Sequence, residues 1–267
     1  MDPATILGLL IAFGALFGMI TLEGASVTSV TLPAPMLLVL VGTIAIGVAG
    51  STLKDVVHAA KSLPRAFLAK PPKPGESIEQ VVALADKARR EGLLSLEAAA
   101  AETKDPFLRD ALQNIADGTD GEDLRELLDD AVETKIKSDH TASKFFTTLG
   151  GYAPTVGIIG TVVSLTHVLE NLSNPEELGH MIAAAFVATL WGLLSANFIW
   201  LPIGSRLSRL SELEVDRMTL ITEGVLAVQA GSQPTLLRER LTAMVPAYRQ
   251  QGGKKNTRGK AQDRDAA

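Results

Sequence analysis

No cysteine occurs among the 267 residues. That excludes a disulfide framework, a thiol nucleophile and any cysteine-ligated metal or iron–sulfur site, and it leaves the redox compartment undetermined. Charge is also missing over long stretches: residues 3–22, 24–53, 145–169 and 178–205 contain no Asp, Glu, Lys or Arg. All 25 basic residues lie in two blocks, 14 in residues 54–144 and 11 in residues 206–264. With 46% hydrophobic residues and a positive mean hydropathy, this placement excludes a single soluble globule. The mild net charge of −5 excludes nucleic-acid binding as the main activity. Enzyme signatures are missing as well: there is no P-loop, HExxH, GxSxG or dinucleotide fingerprint. The four histidines, His58, His140, His167 and His180, have no metal-ligand spacing. The sequence therefore predicts neither an enzyme nor a metal or cofactor site.

What is present is a set of apolar runs. A helix of about 18–20 apolar residues crosses a hydrocarbon core, and four segments fit: 4–22, 34–52, 146–169 and 181–202. Short loops join the first pair (23–33) and the second pair (170–180, with a turn at Asn174-Pro175), and neither holds a Lys or Arg. The positive-inside bias then places both termini and the middle segment in the cytoplasm. The front end carries Asp2 and no basic residue, which favours an uncleaved helix over a signal peptide.

The middle block is soluble in composition. Pro71-Pro72-Lys73-Pro74-Gly75 is a stiff break, and Ile78, Val81, Val82, Leu84 and Ala85 follow at helical spacing. Further helices are expected over 94–103 and 106–117, with Pro106 suited to a first turn, and a turn over 117–121. Beyond it Leu124, Leu127, Leu128, Val132 and Ile136 mark one face of a helix running toward the third apolar segment. No alternating strand pattern stands out, so the expected fold is an all-α integral membrane protein. The expected divisions are 1–53 (helices one and two with an outer loop), 54–145 (cytoplasmic helical domain), 146–205 (helices three and four), 206–251 (cytoplasmic C-terminal helices) and 252–267 (a disordered basic tail).

The third and fourth apolar segments carry hydroxyls and small residues throughout: Thr147, Thr148, Thr155, Thr161, Ser164, Thr166, Thr189 and Ser195, with Gly150, Gly151, Gly157, Gly160 and Gly192. Two readings stand. Small residues let helices pack closely while hydroxyls bond the carbonyl one turn back. Alternatively they form a polar seam, in which hydroxyl and carbonyl oxygens replace part of a cation's hydration shell. No ionisable Asp, Glu, Lys or Arg lies in any apolar segment. A pathway for protons or sodium normally needs such a group at membrane depth, so for ion conduction another chain must supply it. Pro154 and Pro202 fall near the inner ends of this pair, as terminal prolines or as hinges.

Several stretches, in order along the chain, resemble the MotA/PomA family of bacterial flagellar stator subunits. They are LEGASVTSVTLPAPMLLVLVGTIAI (22–46), KARREGLLSLE (87–97), YAPTVGIIGTVVSL (152–165), AAFVATLWGLLSANFIWLPI (184–203) and EGVLAVQAGSQPTLLRERL (223–241). The family belongs with ExbB and TolQ among ion-driven motors, and four spans with a long second loop match the flagellar branch. The resemblance implies a pentamer in the bacterial inner membrane around a single-span MotB or PomB partner whose Asp binds the ion. It further implies ion-driven torque on the rotor protein FliG for swimming.

Carried over residue by residue, Arg89 and Glu97 match the family's rotor-facing charge pair, with Arg90 and Glu91 in support and Gly92 presenting them at a turn. Pro154 and Pro202 match its membrane prolines, which favours a conformational hinge. Thr161 and Thr189 match its ion-pathway hydroxyls. A hydroxyl at Thr161 inclines toward sodium, whereas Ala188 stands where sodium-type relatives often have a second threonine, so the proton stays open. The alternatives are an ExbB/TolQ-like energiser of envelope processes and a membrane scaffold that conducts nothing.

Overall fold

The computed structural model describes residues 4–250 apart from 25, 171 and 174. The basic tail and the Asn174 half of the expected turn lie outside the described residues. Among those described there is no strand. The chain forms two compact units, residues 1–70 with 138–211, and residues 71–137 with 212–267.

The first unit is built from apolar helices. α1 (Ala4–Leu22) is apolar on every side, and Leu7, Leu10, Ile11, Phe17 and Met19 are exposed while Ile20 is buried. A helix that is hydrophobic all round needs a covering of lipid or protein. α2 (Pro33–Ala49) starts on Pro33, whose fixed φ and missing N–H suit a first turn. It buries Pro35, Val39, Thr43 and Gly47, one residue per turn, and leaves Leu37, Val41 and Ile44 exposed. Its 17 residues rise about 25 Å, against the 19 residues expected from sequence. Between them the loop forms a short 3₁₀ turn, Val27–Val30, capped by Ser26. The Trp191 indole Nε1 donates to the Val30 carbonyl at 2.6 Å.

α3 (Leu53–Leu68), in a stretch whose composition groups it with the soluble middle block, packs in this unit. Ala59, Ser62 and Ala66 face Phe146, Leu149, Ile203 and Leu207. Arg65 Nη1 donates to Asp139 Oδ1 at 2.9 Å, and His58 Nε2 lies 3.0 Å from the Ser138 carbonyl. The polar pairs occupy the same face as the small residues, so the helix is pinned along one side.

α7 (Gly121–Glu170) and α9 (Leu201–Gln229) each contribute residues to both units. α8 (Pro175–Ser195) follows α7 after a short connection, and a π-helical turn, Ala196–Trp200, precedes α9.

The second unit holds the larger core. α4 (Pro74–Glu91), α5 (Leu96–Glu102) and α6 (Pro106–Ala116) bring Val81, Ala85, Leu96, Leu108, Ala111 and Leu112 against Leu124 and Leu128 of α7 and Ile221 and Val225 of α9. α10 (Pro234–Ala243) adds Leu237 and Leu241. Asp105 caps α6 by accepting from Phe107 N–H at 3.1 Å, with Pro106 at its first position as expected.

Candidate functional site

Two candidate sites result, one in each unit. In the apolar unit α7 and α8 cross at glycines. A methyl group on Gly157 would lie 2.8 Å from the Ala188 carbonyl oxygen and 3.1 Å from Gly192 Cα, and one on Gly192 would lie 2.8 Å from the Ala153 carbonyl. Both obstacles are backbone, so neither can swing away. Close packing through small residues is therefore realised here.

Most of the hydroxyls also bond their own helix. Thr155 Oγ1 donates to the Tyr152 carbonyl at 2.7 Å, Thr166 to Val162 at 3.0 Å and Ser195 to Gly192 at 3.3 Å. Thr161 and Thr189 differ. Thr161 Oγ1 lies 3.1 Å from the Gly157 carbonyl and 3.0 Å from the Ala185 carbonyl of the other helix, and it hydrogen-bonds to Thr189 Oγ1. The glycine crossing one turn away brings the helices close enough for two short side chains to meet. The result is a half-buried cluster of two hydroxyls and two carbonyls, rich in acceptors and without an ionisable group. Such a cluster can orient a cation or a water; it cannot by itself bind and release a proton at neutral pH.

Pro154 lies inside α7, which continues through it. Pro202 is the second residue of α9 but lies inside helix that continues unbroken from α8 through the π-helical turn. The π-helical turn just before it has a physical cause. A regular helix would press the proline ring against the Phe198 carbonyl, and the wider turn, with Leu201 N–H donating to Ala196 O, makes room. The sequence signals a kink through Pro202 but not this turn.

In the charged unit, α4 ends at Gly92, whose φ of 82° is a backbone region that L side chains rarely adopt. The Ser95 hydroxyl donates to the Gly92 carbonyl at 2.6 Å, and Leu96 is fully buried, which fixes the corner. Arg89, Arg90, Glu91 and Glu97 flank it, all exposed. Arg90 pairs with Asp86 one turn back; among the described residues, Arg89 and Glu97 enter no ion pair.

The signature over 223–241, a resemblance in the sequence, acquires a physical reading. Glu223 accepts from Arg125 Nη1 at 2.7 Å and from Arg240 Nη2 at 2.6 Å. The Arg125 hydrogen bond, with both guanidinium charges and against partial burial, holds its carboxyl below the usual range. Gly224 admits Val81 and Leu241, and Gly231 (φ 74°) ends α9 in a Schellman motif, Ser232 N–H to Ala227 O. Arg217 binds Glu214 and Asp105; burial lowers its pKa, and those carboxylates outweigh the burial. The Arg125–Glu223 and Asp105–Arg217 pairs leave no local trace in the sequence, because their partners stand 98 and 112 residues apart. Among the described residues no group of three or more His, Asp and Glu could hold a metal.

Fold and sites together define a membrane-embedded helical protein whose long apolar segments, free of Asp, Glu, Lys and Arg, all lie in one unit, beside a second helical unit rich in charge. Residues 99–220 match the MotA/TolQ/ExbB proton channel family. Motility protein A of Bacillus subtilis (strain 168) is 36% identical over 253 residues, 92% of each chain. The C. jejuni MotAB structure superposes with a TM-score of 0.89 at 28% identity, and the flagellar MotAB stator complex from Bacillus subtilis with 0.87 at 34%; each covers 92% of this chain and 97% of the other. The chain belongs to the MotA/PomA branch of that family.

Proposed function

We propose that this chain is a flagellar motor stator subunit. It crosses the bacterial inner membrane four times with both termini in the cytoplasm, and it assembles as a pentamer around a MotB- or PomB-type partner. Inward flow of sodium or protons past the partner's Asp drives torque on the rotor protein FliG. The observation that carries this reading is the Thr161–Thr189 contact across a glycine crossing, within the apolar segments 146–169 and 181–202, which contain no carboxylate. Acceptor oxygens are in place and the titrating group is missing, which is what a chain that borrows its acid from a partner requires. Arg89, Arg90 and Glu97 at the Gly92 corner are the rotor-facing charges, steering a transient contact. Pro154 and Pro202 are the hinge positions, and the π-helical turn before Pro202 supports the second of them. Arg89 and Glu97 are exposed and enter no ion pair among the described residues, so they are available to a partner.

The test is complementation. A motile bacterium lacking its own stator genes receives this chain with a partner that carries one span, a membrane Asp and a peptidoglycan-binding domain. Restored swimming is expected, and swimming must vanish when that Asp becomes Asn. No rotation in the presence of an assembled complex would overturn the reading. Ion current through the reconstituted complex excludes a passive scaffold. Swimming speed against sodium concentration at fixed pH, with a proton uncoupler as control, decides the ion.

A further inference from the structure

One helix of the apolar unit has a second face that no part of the unit covers. α3 follows α2 after only Gly50, Ser51 and Thr52. Its inner face is fixed by Ala59, Ser62 and Ala66 in the core and by the Arg65–Asp139 pair, whose carboxylate side chain is only 5% exposed. Its outer face carries Leu53, Val57 and Leu68 at 76%, 49% and 59% exposure, with Pro64 between them. Lys54 and Lys61 are exposed beside this apolar stripe, and Leu53, Lys54, Val57, His58 and Lys61 line one shallow depression. The exposed residues of this face include no Asp or Glu, although the chain as a whole is acidic by five charges.

We propose that this depression is a binding site for anionic phospholipid, with Lys54 and Lys61 on the headgroup phosphate. Three observations choose a lipid over another occupant. The helix starts three residues from the end of an apolar helix, where the bilayer surface lies. Leucine, valine and proline suit shallow insertion, and lysine stems lie along apolar surface while their ammonium groups reach phosphate. The exposed charges of the face are all basic in an acidic chain, the sign that a headgroup phosphate complements. His58 lines the depression, yet its Nε2 is engaged with Ser138 on α7, so it holds the helix in place rather than the lipid.

The site rests on the membrane-embedded reading alone and is independent of torque generation, so it is tested on the assembled complex without any rotation assay. The complex of full-length chain and partner is reconstituted into bilayers of phosphatidylcholine with a minor fraction of spin-labelled phosphatidylglycerol or spin-labelled phosphatidylcholine. Two lysines at an anionic surface correspond to a preference of roughly thirtyfold for the anionic label at the sites they serve. Lys54→Gln with Lys61→Gln is expected to remove that preference at unchanged assembly mass, and Lys54→Arg with Lys61→Arg to keep it. An unchanged preference in the double Gln variant overturns the proposal. Because the chain has no cysteine, Val57→Cys is a clean single reporter. A fluorophore there should be quenched by lipids brominated near the headgroup. Quenching only by aqueous iodide, or disulfide crosslinking between copies through Val57→Cys, would instead assign the face to solvent or to a neighbouring subunit.

Discussion

At their candidate sites the two units use glycine differently. In the apolar unit Gly157 and Gly192 lie in regular helix, and their value is the missing side chain: each leaves room for the other helix's backbone. In the charged unit Gly92, Gly118 and Gly231 have positive φ with open space where a side chain would go, and their value is the backbone they permit. One unit is held by close contact between helices, the other by leucine-rich burial between well-formed turns. The difference says where each fails. The apolar pair fails by losing a contact surface, the charged unit by losing a corner.

The strongest way to break this contrast is volume at the crossing. Gly157→Val places methyl groups against the Ala188 carbonyl, which cannot move without displacing α8. Overpacking costs about 1–3 kcal/mol when side chains can yield, and more where backbone blocks them. Loss of the assembled complex on detergent gel filtration is expected. Gly151→Ala is the matched control: nothing lies within 4 Å of the added carbon, and alanine favours helix by about 1 kcal/mol. That variant should assemble with equal or slightly raised thermal stability. If both variants behave alike, the crossing is not held by close approach.

Next in size is the corner. Gly92→Ala meets no steric obstacle, only an unfavourable φ, and the expected cost is about 1–2 kcal/mol. Melting of the purified complex should fall by a few degrees while assembly survives. Motility should fall further than stability, because the corner also orients Arg89 and Glu97.

Glu223 gives a smaller effect with a pH signature. Its folded pKa is depressed, chiefly by the Arg125 hydrogen bond. Such a group contributes stability fully above its unfolded pKa of about 4.5 and loses it as pH falls through the lower folded value. Glu223→Gln is therefore expected to lower stability at pH 7 by about 1 kcal/mol, a modest figure because both arginines are half exposed. Melting curves of the two proteins should converge as the pH falls through the depressed folded value. A gap that persists there would mean that Glu223 acts through packing instead.

The apolar helices were legible in sequence because exclusion of charge leaves a long, unambiguous trace, and α6 because Asp105-Pro106 marks a helix start directly. The Gly92 corner was legible for the same reason, as a glycine closing a helical period. The meeting of Thr161 with Thr189 was not. Eight serine and threonine hydroxyls lie on the third and fourth apolar segments, and only the crossing geometry, with family resemblance as a guide, separates this pair from those bonded to their own backbone. α3 was placed with the middle block because Lys54, Lys61 and Arg65 dominate its composition. Its packing face consists of Ala59, Ser62 and Ala66, too small and too mildly apolar to register as a core stripe. The Glu223 network was invisible because no local pattern links residues 125 and 223.

The smallest stability effect is expected at the exposed charges, and that smallness is what makes them informative. Arg90 and Asp86 are paired, yet their side chains are 70% and 51% exposed, and such pairs contribute about 0–1 kcal/mol. Arg89 and Glu97 are exposed and enter no ion pair among the described residues. Arg89→Glu and Glu97→Lys should therefore leave melting within about 0.5 kcal/mol of the parent. In the complementation strain, either reversal should nevertheless impair swimming, because a steering charge acts on encounter with the partner rather than on the fold. Swimming at parental speed with both charges reversed would remove the Gly92 corner as the rotor contact. Impaired swimming together with a lowered melting point would make the charges structural, and the division between a contact-held membrane unit and a partner-facing charged unit would then have to be redrawn.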